Sequence, residues 1–141
     1  MKEKMLEVKL YELGYCSELE YTRVVCVCKY KDKFVFCYNK KRNGYELPGG
    51  HIEENETWRD AAVREMYEEI GATNVVLTPI CVYKINTFAL LAFCEVLEMG
   101  NLPTGYETSS ILLCDDLPDN LTYPDTYKKL FKRAKSFLED E

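Results

Sequence analysis

The sequence predicts an α/β (α+β) sandwich built on a mixed β-sheet, in a single domain over residues 1–141. Three observations predict it. Several short runs are apolar throughout or alternate with period two, as strands do, while two segments carry apolar residues at three- and four-residue spacing, as amphipathic helices do. The order is strands, a helix, more strands, then a helix. That order departs from the regular strand-helix alternation of a parallel fold and fits a mixed sheet with helices packed on it.

Strand-like runs at the front are Met5–Tyr11, Arg23–Tyr30 and Phe34–Tyr38. In "VVCVCKYKDKFVFCY" the last two form a hairpin with Lys31, Asp32 and Lys33 at the turn. "GYELPGG" follows as a short extended piece, in which Pro48 forbids continuation and the glycines permit unusual backbone angles. Next comes a helix of about four turns. Thr57 is its predicted N-cap, Asp60 reaches back in a capping box, and Gly71 supplies a left-handed stop. Beyond it, Asn74–Ile85 and Thr87–Leu97 read as longer strands joined at Asn86, with Ser109–Cys114 another. Between the last two lies "EMGNLPTGYETS", a turn-rich stretch of the kind that often carries function. In the closing segment, Tyr127, Leu130, Phe131, Ala134, Phe137 and Leu138 share one face opposite lysines and an arginine, which predicts a helix packed on the sheet.

Composition narrows the function. The 141 residues are 47% hydrophobic and 30% charged, a balance of soluble globular proteins. No run approaches a membrane span, and charges interrupt "MKEKMLEVKLYELGY", so neither a membrane partner nor a signal peptide is expected and a cytoplasmic location follows by default. A net charge of −6 argues against tight binding of duplex nucleic acid, because that affinity comes from basic residues displacing counterions. The seven cysteines form no Cys-x-x-Cys pair and the chain has one histidine, His51, so no zinc site is expected, and Cys26, Cys28, Cys37, Cys81 and Cys94, inside strand-like runs, read as reduced, buried hydrophobes.

The first helix holds the chemistry. At about 100° per residue, Glu65, Glu68 and Glu69 collect on one arc, with Ala62, Val63, Met66 and Ile70 on the neighbouring arc. Like charges at these spacings repel, so a cation should offset them. Carboxylates are hard oxygen ligands of the type Mg²⁺ or Mn²⁺ prefers, and Mg²⁺ commonly pairs a few of them with substrate phosphate oxygens.

Gly50, Glu56, Arg64, Glu65, Met66, Glu68, Glu69, Gly71 and Ala72, at their spacing over residues 50–72, resemble the Nudix box, and "YELPGG" before it is similar to what precedes the box in that family. Met66 and Ala72 depart mildly, standing where a branched aliphatic residue is commoner. The resemblance implies a Nudix-type α/β/α sandwich and divalent-metal-dependent hydrolysis of a nucleoside diphosphate linked to another group. It implies Glu65, Glu68, Glu69 and the Gly49 carbonyl as metal ligands, with Gly50, Glu56, Arg64 and Gly71 in support. Glu107, in "TGYETSS", is the candidate for an additional base, and Asn120, in "CDDLPDN", for an amide reading the base edge. Tyr45, Tyr83, Phe88 and Tyr106 could stack a base or belong to the core. The expected substrate is a nucleoside triphosphate, oxidised purine nucleotides included, cleaved to monophosphate and pyrophosphate. ADP-ribose, a dinucleoside polyphosphate or a 5′-triphosphate RNA end is the alternative, and a non-catalytic nucleotide-binding module is the alternative class. The protein is expected as a monomer or homodimer.

Overall fold

The computed structural model describes residues 7–140. Its strands are β1 (Lys9–Tyr11), β2 (Arg23–Tyr30), β3 (Lys33–Asn39), β4 (Gly44–Glu46), β5 (Gly49–His51), β6 (Ala72–Ile85), β7 (Thr87–Met99) and β8 (Thr108–Cys114). The helices are α1 (Trp58–Ile70) and α2 (Pro124–Glu139), with one 3₁₀ turn at Glu18–Glu20. All eight strands join one sheet, in the order β1-β6-β7-β2-β3-β4, with β5 added to β2 and β8 to β3. The sheet is mixed, because β2 and β7 run parallel while every other pair is antiparallel.

β2 lies at the middle of both layers, which is why "RVVCVCKY" is apolar nearly throughout instead of alternating. Val24, Cys26 and Cys28 pack beneath α1, and Val25 and Val27 pack on the opposite side against α2. Burying Trp58, Met66 and Ile70 of α1 contributes about 1.5–3 kcal/mol per side chain. On α2, Tyr127, Leu130, Phe131 and Ala134 are buried, as their spacing predicts. The seven cysteines are all free, five of them buried. No helix among the described residues is long and apolar enough to cross a membrane.

Several boundaries differ from the sequence reading. The described part of the first strand is three residues long, and Met5 and Leu6 lie outside the described residues. The β2–β3 turn consists of Lys31 and Asp32, both at positive φ, the two-residue arrangement whose twist matches a hairpin, so Lys33 already belongs to β3. "GYELPGG" forms two strands rather than one piece: β4 pairs with β3, and past Pro48 the chain crosses to pair with β2. Gly49 permits that crossing, since a Cβ there would meet the Val24 carbonyl and lie 2.8 Å from Val25 Cα. Val63 is not a core residue. It is 52% exposed, and Ala61 fills the inward position instead.

Candidate active site

Both ends of α1 are fixed by its own sequence. The Asp60 amide donates to Thr57 Oγ1 at 3.1 Å and the Thr57 amide donates to Asp60 Oδ2 at 3.0 Å, a reciprocal capping box. At the other end Gly71 takes φ 73° and its amide donates to the Met66 and Tyr67 carbonyls.

The buried residues of α1 are Trp58, Ala61, Ala62, Met66 and Ile70. On a wheel of about 100° per residue, Glu65 and Glu69 fall between these, near the centre of the inward arc. The carboxylates thus interrupt the core stripe rather than lying beside it. Burial pushes the Glu69 carboxyl up to about 8, and burial likewise raises Glu65 against the opposing pull of Arg64. Glu69 Oε1 accepts from the Gly49 amide at 2.9 Å, with the Cys37 thiol 3.8 Å away. Gly50 has no room for a side chain, because its Cβ would sit 2.7 Å from the Glu65 carboxyl carbon.

Arg64 supplies part of the positive charge that the acidic helix needs. Its Nε donates to Glu56 Oε2 at 2.7 Å and its Nη2 to Glu56 Oε1 at 2.9 Å, a two-pronged pair. Its Nη1 reaches Glu65 at 2.9 Å and Glu68 at 3.6 Å, and its Nη2 also donates to the His51 carbonyl at 3.0 Å. One guanidinium therefore ties the loop, β5 and two box carboxylates together. The Arg64 bond, followed by the Glu53 amide donating at 2.9 Å, lowers Glu56 to about 2.

The other predicted residues stand outside this cluster. Glu107 accepts from Asn39 Nδ2 at 3.0 Å and lies 3.5 Å from both Lys41 Nζ and Arg42 Nη2, and the Asn39 bond leads the causes that lower its pKa. Arg42 also pairs with the buried Glu46 at 2.9 Å. Asn120 occupies a turn at φ 60°, and its backbone carbonyl accepts from the Tyr45 amide at 2.9 Å, a conformation that asparagine tolerates well. Of the four candidate stacking residues, Phe88 joins an aromatic group with Tyr11 and Tyr15, Tyr45 packs edge-on against Tyr38, and Tyr106 is exposed.

Tyr83 alone lines a cavity, of about 280 Å³, on the α2 side of the sheet together with Arg23, Val25, Thr87, Tyr123 and Tyr127. Sequence reasoning missed this cavity. Its walls come from β2, β6, β7 and α2, so no local pattern announces it.

The donor set of Glu65, Glu68, Glu69 and the Gly49 carbonyl is all hard oxygen, and partial burial of Glu65 and Glu69 makes their charge costly without a cation nearby, which fits Mg²⁺ or Mn²⁺. The side chains are not yet gathered: Glu65 and Glu68 lean on Arg64, Glu69 faces the Gly49 amide, and among the described residues no three such groups already converge.

Comparison with known proteins identifies the family and the fold. The Bacillus subtilis (strain 168) protein YtkD, provisionally named an 8-oxo-dGTP diphosphatase, is 30% identical over 101 residues, 68% of this chain and 63% of its own length. An RNA pyrophosphohydrolase of Sulfurovum sp. (strain NBC37-1) is 44% identical over 55 residues, 37% of this chain and 35% of its own. The chain thus spans less than two thirds of either relative. Among solved structures, the Bacillus subtilis pyrophosphohydrolase BsRppH superposes with a TM-score of 0.77 at 23% identity, covering 92% of this chain and 90% of that one. A NUDIX-family hydrolase from Clostridium perfringens gives 0.61 at 19% identity, covering 80% and 97%. These two likenesses establish the α/β fold. The NUDIX domain pattern itself matches residues 20–129, most of the chain and the whole of the glutamate helix with its glycine loop, and the chain therefore belongs to the NUDIX family.

Proposed function

We propose that the protein hydrolyses a pyrophosphate bond in a nucleotide, most simply a nucleoside triphosphate, to monophosphate and pyrophosphate. The observation that carries this is the placement of Glu65 and Glu69 at the centre of the inward arc of α1, with Glu69 bonded to the Gly49 amide and Glu65 against Gly50. Glu65, Glu68, Glu69 and the Gly49 carbonyl would hold a divalent ion, Mg²⁺ or Mn²⁺. When bound, such an ion neutralises diphosphate charge and acidifies a coordinated water. Arg64 and Glu56 keep the helix and loop in register, so the oxygens need little reorganisation during the reaction. In the reaction a water oxygen forms a bond to phosphorus and gives its proton to a base, while the bridging P–O bond breaks and the bridging oxygen leaves with the electron pair on the other phosphate product.

Glu107 is our candidate for the base. Its contacts with Asn39, Lys41 and Arg42 favour its charged form, and it lies in the loop that leads into β8. Glu107→Gln is expected to lower turnover by roughly 10²-fold without changing the melting temperature, and near-normal turnover removes it from the mechanism. Asn120 is kept as a contact to the base edge, made by its exposed amide.

The cavity, at the small end of ligand sites, suits one nucleoside better than two, which favours a mononucleotide over a dinucleoside polyphosphate. The name 8-oxo-dGTP diphosphatase on YtkD supports an oxidised purine triphosphate. The Sulfurovum relative's name supports a second reading, a 5′-triphosphate RNA end. Incubation with a panel of ordinary and oxidised triphosphates, ADP-ribose and triphosphorylated RNA, with Mg²⁺ or Mn²⁺, separates them by products. Monophosphate plus pyrophosphate from free triphosphates is the expected result. Release of AMP with ribose phosphate, or turnover of RNA alone, replaces it, and no turnover of any substrate leaves a binding module.

A further inference from the structure

Asn39 ends β3 and is only 2% exposed, although it stands at a turn. Its carboxamide is divided between two loops. The carbonyl oxygen Oδ1 accepts from the Lys41 amide at 2.9 Å and from the Arg42 amide at 3.1 Å, which closes the turn between β3 and β4. The other end, Nδ2, donates to Glu107 Oε1 at 3.0 Å, in the loop that leads into β8. A turn alone needs only the oxygen, which aspartate supplies as readily. What asparagine adds is a donor, and a buried donor needs a partner, which here is Glu107. The backbone joins the same two loops. The Lys40 amide donates to the Glu107 carbonyl at 3.4 Å, and the β3–β8 pairing skips Ser109 so that Asn39 stands opposite Thr108. Slips of this kind beside a functional site re-aim the side chains around them. Two residues back on the same face of β3, about 7 Å away, Cys37 Sγ lies 3.8 Å from Glu69 Oε1. One strand end therefore contacts both Glu69 of α1 and Glu107.

We propose that Asn39 is a positioning residue for the hydrolysis: it locks the β3–β4 turn onto the loop before β8 and thereby fixes where the Glu107 carboxylate stands relative to α1. It touches no reacting atom and acts only through Glu107. The charges around Glu107 add to the grip. Lys41 Nζ and Arg42 Nη2 each lie 3.5 Å from it, and Arg42 is itself held at 2.9 Å by the buried Glu46 and feels Tyr123 nearby. Among these contacts the Asn39 bond is the first cause holding Glu107 below its ordinary carboxylate range. The inference deepens the reading of Glu107 as the candidate base and rests on it.

The test uses the full chain with saturating Mg²⁺ and dGTP, or whichever triphosphate of the panel above is cleaved fastest. Asn39→Ser keeps an oxygen for the turn but is too short to reach Glu107, and Asn39→Asp keeps the turn oxygen while setting a second carboxylate against Glu107. Both should lower kcat about tenfold with KM within about twofold. Asn39→Asp should also move the acid limb of the kcat profile up by about one pH unit, since Glu107 then holds its proton to higher pH. In a Glu107→Gln background the same substitutions should change kcat by less than about twofold, because the group they act through is already gone. Full kcat in the Asn39 variants overturns the proposal, as does a loss confined to KM or one that multiplies with the loss in Glu107→Gln. If one variant does not fold, the other carries the comparison. Failure of both to fold also overturns it, since Asn39 then serves the fold itself. Normal turnover by Glu107→Gln removes the base assignment and this inference with it, and an intact protein that cleaves nothing in the panel removes the nucleotide reading on which both stand.

Discussion

Glu69→Gln is expected to reduce metal-supported turnover by on the order of 10³-fold while shifting stability in EDTA by less than about 1 kcal/mol. The two halves of that result have one cause. Glu69 sits among Ala61, Ala62, Met66 and Ile70 on the inward side of α1, where desolvation favours its neutral form. Glutamine has the same length and is already neutral, and its carbonyl oxygen can still accept from the Gly49 amide. The folded chain alone loses almost nothing. On the proposed reading, what disappears is a negative oxygen for a divalent ion, and Glu65 and Glu68 are both engaged with Arg64. Initial rates at saturating nucleotide and Mg²⁺, with calorimetric melting in EDTA, read both quantities. Glu68→Gln should cost less, because Glu68 stands at the edge of the arc. A Glu69→Gln protein that keeps a tenth of its turnover would remove Glu69 from the metal site.

That contrast also marks how far the sequence could be read. The strands were legible because β2 and β7 are buried on both faces and carry unbroken apolar runs, and the hairpin because Lys31 and Asp32 separate two such runs. The limits of α1 were legible too, since Thr57, Asp60 and Gly71 act within a turn of themselves. Its orientation was not. A stripe defined by apolarity alone admits Val63 and excludes Glu65 and Glu69, whereas the inward arc contains both glutamates and leaves Val63 in water. Carboxylates at the middle of a buried face shift the apparent centre of that face.

The cavity was illegible for another reason. It forms only when the pairing of β2 with β7, 66 residues further along the chain, brings Tyr83 and α2 around Arg23 and Val25. Such parallel contacts leave no short-range signature. The crossing of Gly49–His51 to β2 is intermediate: the glycines announce an unusual backbone, but its partner strand is fixed by tertiary structure.

Arg64→Ala is expected to destabilise the metal-free protein by about 2–3 kcal/mol, less than the loss of one partner from a fully buried pair because the guanidinium remains partly exposed to water. Removing Arg64 frees Glu53, Glu56, Glu65 and Glu68 from a shared cation and leaves Glu65 half-buried without a counter-charge. Arg64→Lys keeps the charge but loses the fork that grips both oxygens of Glu56, so it should fall between the two. The pH dependence gives an independent check. Glu56 is lowered from 4.5 to about 2 in the folded protein, so between these values the unfolded chain holds more protons at this site than the folded one. Its contribution is therefore present above pH 4.5 and is lost as the pH falls through 2. Urea unfolding in EDTA between pH 7 and pH 3 should show the intact protein losing more stability than Glu56→Gln, with Arg64→Ala resembling Glu56→Gln because a free Glu56 titrates in its ordinary range. Parallel acid profiles for all three proteins would mean that the pairing of Arg64 with Glu56 is too well solvated to hold the loop, and the support for the helix glutamates would have to come from the Gly49 and Gly50 backbone alone.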